Sequence, residues 1–189
     1  PRDARLAEDV ADDGASGTTA LRAYVMWQEP RLALVPGFVT DAEVEHILGL
    51  AESSGAWVPS VVWRGGDARH RKSDSFMLQA AQTPVVEAIE RRAAAVACVP
   101  VEQVERLNIV RYTPGQYFGV HHDGRNRPRT VFVYLNDVEE GGETRFPELG
   151  VQVKPTKGCA AVWDNLSEDG TMDWRASHEG VPPRQGVKY

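Results

Sequence analysis

From Pro100 onward the sequence breaks into short apolar-alternating segments: Leu107–Tyr112, Tyr117–Asp123, Thr130–Leu135, Glu143–Phe146, Val151–Lys154, Cys159–Trp163, Arg175–His178 and Val187–Tyr189. Turn formers separate them: Pro114-Gly115, Gly124 to Pro128, Gly141-Gly142, Pro147 to Gly150, Lys157-Gly158, Asp169-Gly170 and Pro182-Pro183. A strand side chain points to alternate faces with period two, so each segment offers one apolar face and cannot bury it alone. Short strands in this number, evenly punctuated, predict a sandwich or jelly roll.

The first half reads differently. Thr40-Asp-Ala-Glu43 is a capping box that opens a helix with Val44, Ile47, Leu48 and Ala51 on one face. Thr83-Pro84 opens a second helix running to about Ala97, with Val85, Val86, Ile89, Ala93 and Val96 inward. Arg31 to Val39, Trp57 to Trp63 and Ser75 to Leu78 are expected as strands, and residues 1–20 as a loose or short helical lead-in. The stretch 64–72, with Gly65-Gly66, Arg64, Arg69, His70, Arg71 and Lys72, suits a flap or a solvated turn. His46 lies off the helix stripe and is expected in solvent. The whole is an α+β chain, mainly β, in one domain over 1–189: a lead-in (1–30), helical support and flap (31–106), and the strand-rich core (107–189).

Composition narrows the function classes. With 42% hydrophobic and 25% charged residues the chain is an ordinary globular one, and its net charge of −6 argues against a general nucleic-acid binder. Cys98 and Cys159, each in an apolar run, are expected as buried free thiols, too few for a disulfide framework or a thiolate zinc site. No run of 18 apolar residues occurs, and the first residues show no basic-then-apolar leader. The expectation is a soluble protein without membrane or nucleic-acid partners, cytoplasmic unless a targeting segment was removed, and a monomer or weak dimer.

The chemistry concentrates in Tyr112-Thr-Pro-Gly-Gln-Tyr-Phe-Gly-Val-His121-His122-Asp123. On a strand His121 and Asp123 share a face and His122 turns away. With His178, 55 residues further on, they offer two imidazoles and one carboxylate and leave positions open, as in non-haem Fe(II) oxygenases. Lys188, ten residues after His178, is placed to hold an anionic co-substrate, with Tyr112 and Thr144 supplying hydroxyls. Glu139, Glu140 and Glu143 lie about a Gly-Gly turn and need no proton-transfer role.

These motifs resemble the prolyl 4-hydroxylase group of Fe(II)/2-oxoglutarate dioxygenases from about Leu34 to Tyr189. The likeness is dense in Arg111-Tyr-x-Pro-Gly-Gln, His121-x-Asp123, Tyr134-Leu-Asn-Asp-Val-Glu-Glu-Gly-Gly-Glu-Thr144, Lys157-Gly, His178-x-Gly-x-Pro and Gly186-x-Lys188; Arg71-Lys-Ser73 looks like the Arg-x-Ser before a strand. The resemblance implies a double-stranded β-helix (jelly-roll) core with N-terminal supporting helices. It carries His121, Asp123 and His178 onto iron as the catalytic centre, and Tyr112, Thr144 and Lys188 onto the distal carboxylate of 2-oxoglutarate. It implies hydroxylation of proline in a peptide or protein, coupled to conversion of 2-oxoglutarate and O₂ to succinate and CO₂, with ascorbate as reductant. Phe118, Arg127, Arg129 and Trp163 are the candidates for meeting substrate. The family often has tyrosine where Phe118 stands, and tryptophan where Tyr189 stands. Two other readings stay open: the same chemistry on a free amino acid or small metabolite, and a non-catalytic jelly-roll binding module.

Overall fold

The computed structural model describes residues 7–11, 21–61 and 70–189. Its strands are β1 (Ala7–Ala11), β2 (Leu21–Trp27), β3 (Leu32–Val35), β4 (Val58–Pro59), β5 (Arg71–Lys72), β6 (Asp74–Met77), β7 (Asn108–Arg111), β8 (Tyr117–His121), β9 (Arg129–Val133), β10 (Thr144–Phe146), β11 (Val151–Val153), β12 (Ala160–Asp164) and β13 (His178–Gly180). The helices are α1 (Asp41–Ser54) and α2 (Pro84–Ala97).

Two five-stranded sheets dominate, in the orders β1-β2-β3-β12-β9 and β11-β10-β13-β8-β5; β4-β6-β7 form a third. The first sheet is covered on both faces. Ala33 and Val35 of β3 and Ala160 and Val162 of β12 join Val44, Ile47, Val86 and Ile89 of the helices in one core. The alternate residues Leu32, Ala161 and Trp163 turn inward with Phe146, Leu149 and Val153, filling the space between the two large sheets. This follows from period-two alternation, which also makes β12 apolar at four successive positions.

Both helices begin as their sequences dictate. The Thr40 hydroxyl accepts from the Glu43 N–H while the Glu43 carboxylate accepts from the Thr40 N–H at 2.8 Å. The same carboxylate takes two hydrogen bonds from Arg92 of α2, at 2.7 and 3.1 Å, so one residue caps α1 and fastens it to its neighbour. Burial pushes the Glu43 carboxyl up, but Arg92 and the Thr40 bonds outweigh it and hold the group below its ordinary value. Thr40→Ala is expected to lower the unfolding free energy by about 1 kcal/mol in urea denaturation. An unchanged midpoint would mean that Arg92 alone fixes this end of the helix.

Several expectations are corrected. The lead-in includes two paired strands, β1 and β2, rather than a helix; Leu21, Ala23 and Val25 alternate with exposed Arg22, Tyr24 and Met26, a period-two signal. Arg175–His178 is not one strand. The Asp173 side chain accepts from the Arg175 N–H and caps a 3-10 turn at Trp174–Ala176, and the strand starts only at His178. Val187–Tyr189 forms a single bridge, Lys188 to Tyr112. Of the Trp57 to Trp63 segment only Val58–Pro59 pairs, and residues 62–69 of that strand and of the flap lie outside the described residues. Cys98 is exposed, because it ends α2 in a left-handed conformation (φ 56°), while Cys159 is buried as expected. His46 is only partly solvated; its Nε2 lies 2.9 Å from the Thr83 hydroxyl and links the two helices. No helix among the described residues is long and apolar enough to cross a membrane.

Candidate metal centre and its cleft

Strands β8 and β13 pair antiparallel with His121 opposite His178, which brings residues 57 positions apart in sequence to adjacent places on one sheet. Asp123 lies just past the end of β8. One donor atom from each of His121, Asp123 and His178 lies within 4.8 Å of the others; among the described residues they form the one such cluster. The His121 Nε2 is 3.7 Å from Asp123 Oδ1, and the His178 Nε2 is 3.9 Å from Asp123 Oδ2.

Each ring is fixed through one nitrogen. The His121 Nδ1 donates to the Gly119 carbonyl at 2.9 Å, and the His178 Nδ1 to the Ala176 carbonyl at 3.1 Å. Fixing the proton on Nδ1 leaves the Nε2 lone pair free toward the cluster, the usual arrangement around metal-binding histidines. Burial, and for His121 the neighbouring His178 as well, disfavours the imidazolium: His121 is pushed down to about 4 and His178 is also lowered. Both rings are therefore neutral near pH 7. Burial pushes the Asp123 carboxyl up, but His178, the Thr130 hydroxyl and His121 together hold it below its ordinary value.

A hydrogen-bonded chain runs from the core to this carboxylate. Trp163 Nε1 donates to Asn165 Oδ1 at 3.1 Å, Asn165 Nδ2 donates to the Thr130 hydroxyl at 2.9 Å, and that hydroxyl donates to Asp123 Oδ2 at 2.6 Å. Neutral nitrogens and an anionic oxygen, converging and orientated from behind, fit a divalent ion of the iron(II) kind. His122, one residue past the end of β8, is not part of the cluster. Its Nε2 lies 3.1 and 3.2 Å from the Asn165 and Asp173 carbonyls, and its Nδ1 accepts from the Gly124 N–H.

Lys188 lines the same open cleft, 1% exposed. Its ammonium lies 5.3 to 5.5 Å from the ring centroids of Phe132, Tyr112 and Tyr134. Burial drives it down to about 8, only partly offset by the charge of Glu143. Backbone bonds of 2.8 and 2.9 Å to Tyr112 fix its position, and the Asn136 side chain grips the residues on either side, Val187 and Tyr189. Thr144, 3% exposed, accepts from the Tyr134 hydroxyl at 2.8 Å. The Tyr112 phenol is raised by burial, against the pull of Arg71 and Ser73. A desolvated cation beside hydroxyl groups is a natural seat for a carboxylate.

The four substrate candidates separate. Phe118 is stacked on His121, centroids 3.5 Å apart and 11° from parallel, with Arg71 4.5 Å from its ring centroid. Arg127 makes a two-pronged pair with Glu105, and Arg129 pairs with Asp164 and donates to the Ala97 carbonyl, so both guanidinium groups are already engaged. Trp163 is 2% exposed and packs edge-on to His178, which places it behind the cluster rather than at the mouth. Sequence reasoning passed over Thr130, Asn165, Asn136 and Tyr134; Arg71, read as part of a flap or solvated turn and of an Arg-x-Ser before a strand, lines the cleft. His70, from the stretch read as a flap or solvated turn, sets its Nε2 2.9 Å from the Val120 carbonyl.

A family model described as the 2OG-Fe(II) oxygenase superfamily matches residues 107–189. Among curated relatives, prolyl 4-hydroxylase 5 of Arabidopsis thaliana is 34% identical, with 87% of this chain and 67% of that protein covered. Prolyl 4-hydroxylase 1 of the same plant is 31% identical, with 87% and 68% covered. The chain spans about two thirds of the length of the curated relatives it matches, from 63% to 69%. A viral collagen prolyl hydroxylase from Paramecium Bursaria Chlorella virus-1, solved with 2-oxoglutarate, superposes with a TM-score of 0.68 at 24% identity over 83% of this chain and 91% of that one. A Pseudomonas putida prolyl-4-hydroxylase gives 0.61 at 20% identity over 83% and 88%. The architecture is thus that of the 2-oxoglutarate oxygenases, and the chain belongs to the prolyl 4-hydroxylase family of Fe(II)/2-oxoglutarate-dependent dioxygenases.

Proposed function

We propose that this protein hydroxylates proline within a peptide or protein, using iron(II), 2-oxoglutarate and O₂ and releasing succinate and CO₂. The observation that carries this reading is the juxtaposition, in one cleft, of two neutral imidazoles and a carboxylate with a buried lysine. The relatives named above are prolyl 4-hydroxylases, and their name supports the choice of substrate. In this reading the two large sheets are the halves of a double-stranded β-helix, and residues 1–189 act as one catalytic domain.

The roles follow from position. His121, Asp123 and His178 hold the metal, with His121 and His178 bonded through Nε2. Lys188 holds the far carboxylate of the oxo acid, helped by Tyr112 and Thr144. When bound, iron(II) with 2-oxoglutarate and O₂ supplies the oxidising chemistry that inserts one oxygen atom into a C–H bond. The chain's part is to orient and to exclude water: Thr130 fixes the carboxylate, Phe118 covers one face of His121, and Trp163 seals the site from behind. An extended, proline-rich peptide would lie across the cleft near Phe118 and Arg71, its preformed backbone losing little entropy on binding.

The test is succinate release from 2-oxoglutarate with iron(II), ascorbate and O₂, with and without a proline-rich peptide. Strong stimulation by the peptide, with its proline gaining the mass of one oxygen atom, is the expected result. Turnover indifferent to the peptide would move the substrate to a free amino acid or small metabolite. Iron binding with no succinate would favour a binding module.

A further inference from the structure

Asn165 lies one residue past β12 and is fully buried, so every bond its amide can make must be met from within the protein. Its Nδ2 donates to the Arg127 carbonyl at 2.8 Å and to the Thr130 hydroxyl at 2.9 Å, while Oδ1 accepts from Trp163 Nε1 at 3.1 Å. The main-chain N–H donates to the Pro128 carbonyl at 2.8 Å. The main-chain carbonyl accepts from the Asp173 N–H at 2.9 Å and lies 3.1 Å from His122 Nε2. One residue thus touches three segments of the metal cluster: the turn that leads from Asp123 into β9, the ring between His121 and Asp123, and the approach to His178.

These partners leave the amide one orientation. Turned over, its oxygen would face the Arg127 carbonyl and its NH₂ the Trp163 N–H, two repulsive contacts in a buried place. An N–H only donates, so the Thr130 oxygen accepts from Asn165 and its single hydrogen is left for Asp123 Oδ2, at 2.6 Å. Without that donor the hydroxyl is free to rotate away from the carboxylate. On the other side, Asp173, held by the Asn165 carbonyl, caps the 3-10 turn whose last residue, Ala176, receives the His178 Nδ1 hydrogen. We propose that Asn165 is a positioning residue of the metal centre. Its amide aims the Thr130 hydroxyl at Asp123, and its fixed main chain holds that carboxylate in place against His178. This role rests on the metal-centre reading above and adds to it the residue that sets the ligand spacing.

Iron(II) affinity of the metal-free chain, measured without oxygen by competition with a coloured chelator, tests this apart from turnover. Thr130→Val should lower the affinity about 10- to 100-fold, the range for a lost outer-shell partner, and Thr130→Ser should keep it within about threefold of native. Asn165→Ala should lower it by a similar factor. Both act through one hydroxyl, so the double variant should bind within about threefold of the weaker single one. The KM for 2-oxoglutarate at saturating iron should stay native in each, since Lys188 is held by Tyr112 and Asn136 instead. A folded Asn165→Ala chain with native iron affinity would overturn the role, and so would losses that multiply in the double variant, which would mean that Asn165 acts apart from Thr130. Should the alanine chain not fold, Asn165→Ser takes its place. If neither folds, native affinity in Thr130→Val overturns the role, and a loss there that serine restores upholds it. A native chain that binds no iron at all would sink the metal-centre reading itself, and this role with it.

Discussion

Asp123→Asn should abolish iron(II)-dependent turnover, by at least about a hundredfold, while leaving the chain folded. The carboxylate is the only anion in the cluster, and without it two neutral imidazoles face a doubly charged ion. Loss of an outer-shell partner alone costs about 10- to 100-fold in metal affinity or activity, so loss of the charged ligand should cost more. The asparagine oxygen can still accept from the Thr130 hydroxyl, which keeps the hydrogen-bonded chain back to Trp163 intact. The readouts are the absorption band that iron(II) and 2-oxoglutarate form together without oxygen, and thermal unfolding of the metal-free protein. The band should vanish and the metal-free melting temperature should fall slightly, since the two imidazoles and the Thr130 hydroxyl outweigh burial in favouring the charge that the substitution removes. His178→Ala should also erase the band, but it empties a buried position against Trp163 and Phe146 and so lowers stability as well. A variant at Asp123 that keeps both band and turnover would remove the cluster from the mechanism.

How much of this was legible in the residues depends on whether the signal was local. The His-x-Asp pair, the capping box at Thr40 and the proline-led helix at Pro84 are short-range patterns, and the structure places each as expected. The edge of a sheet is not local. Val131 and Val133 look like interior strand residues in sequence, and only the strand order shows that, among the described residues, β9 pairs on one side alone. Arg127 and Arg129 read as free cations near the metal motif. Their partners, Glu105 and Asp164, are 22 and 35 residues away, and nothing in sequence pairs them. Asn165, fully buried at the crossing of Trp163, Thr130 and the Arg127 carbonyl, carries no motif at all. Its importance is a matter of unmet hydrogen bonds in an apolar interior, which becomes visible only when the fold closes around it. The 3-10 turn before His178 was hidden for a smaller reason: Asp173 captures the Arg175 N–H and diverts a stretch that alternates well enough for a strand.

Lys188→Met should make the protein more stable and deprive it of 2-oxoglutarate. The ammonium is 1% exposed and surrounded by rings, and burial has moved it from its ordinary 10.5 to about 8. A displacement of that size corresponds to a penalty on the order of 3–4 kcal/mol for keeping the charge inside at neutral pH. Methionine fills nearly the same volume without a charge, so the melting temperature should rise, as expected where a functional group is held at the expense of stability. The KM for 2-oxoglutarate should rise at least about a hundredfold, since a desolvated cation that meets a carboxylate is among the stronger single contacts. The pH dependence gives an independent check. Between about 8 and 10.5 the unfolded chain binds more protons at this lysine than the folded one, so stability should increase with pH across that window in the native protein and not in the variant. Substrate binding has the opposite sign. Only the protonated amine holds the carboxylate, so KM should climb about fivefold from pH 8 to 9 and about tenfold per unit beyond. A methionine variant with native KM and a flat difference in stability would place the carboxylate elsewhere in the cleft, with Arg71 beside Tyr112 as the next cation to replace.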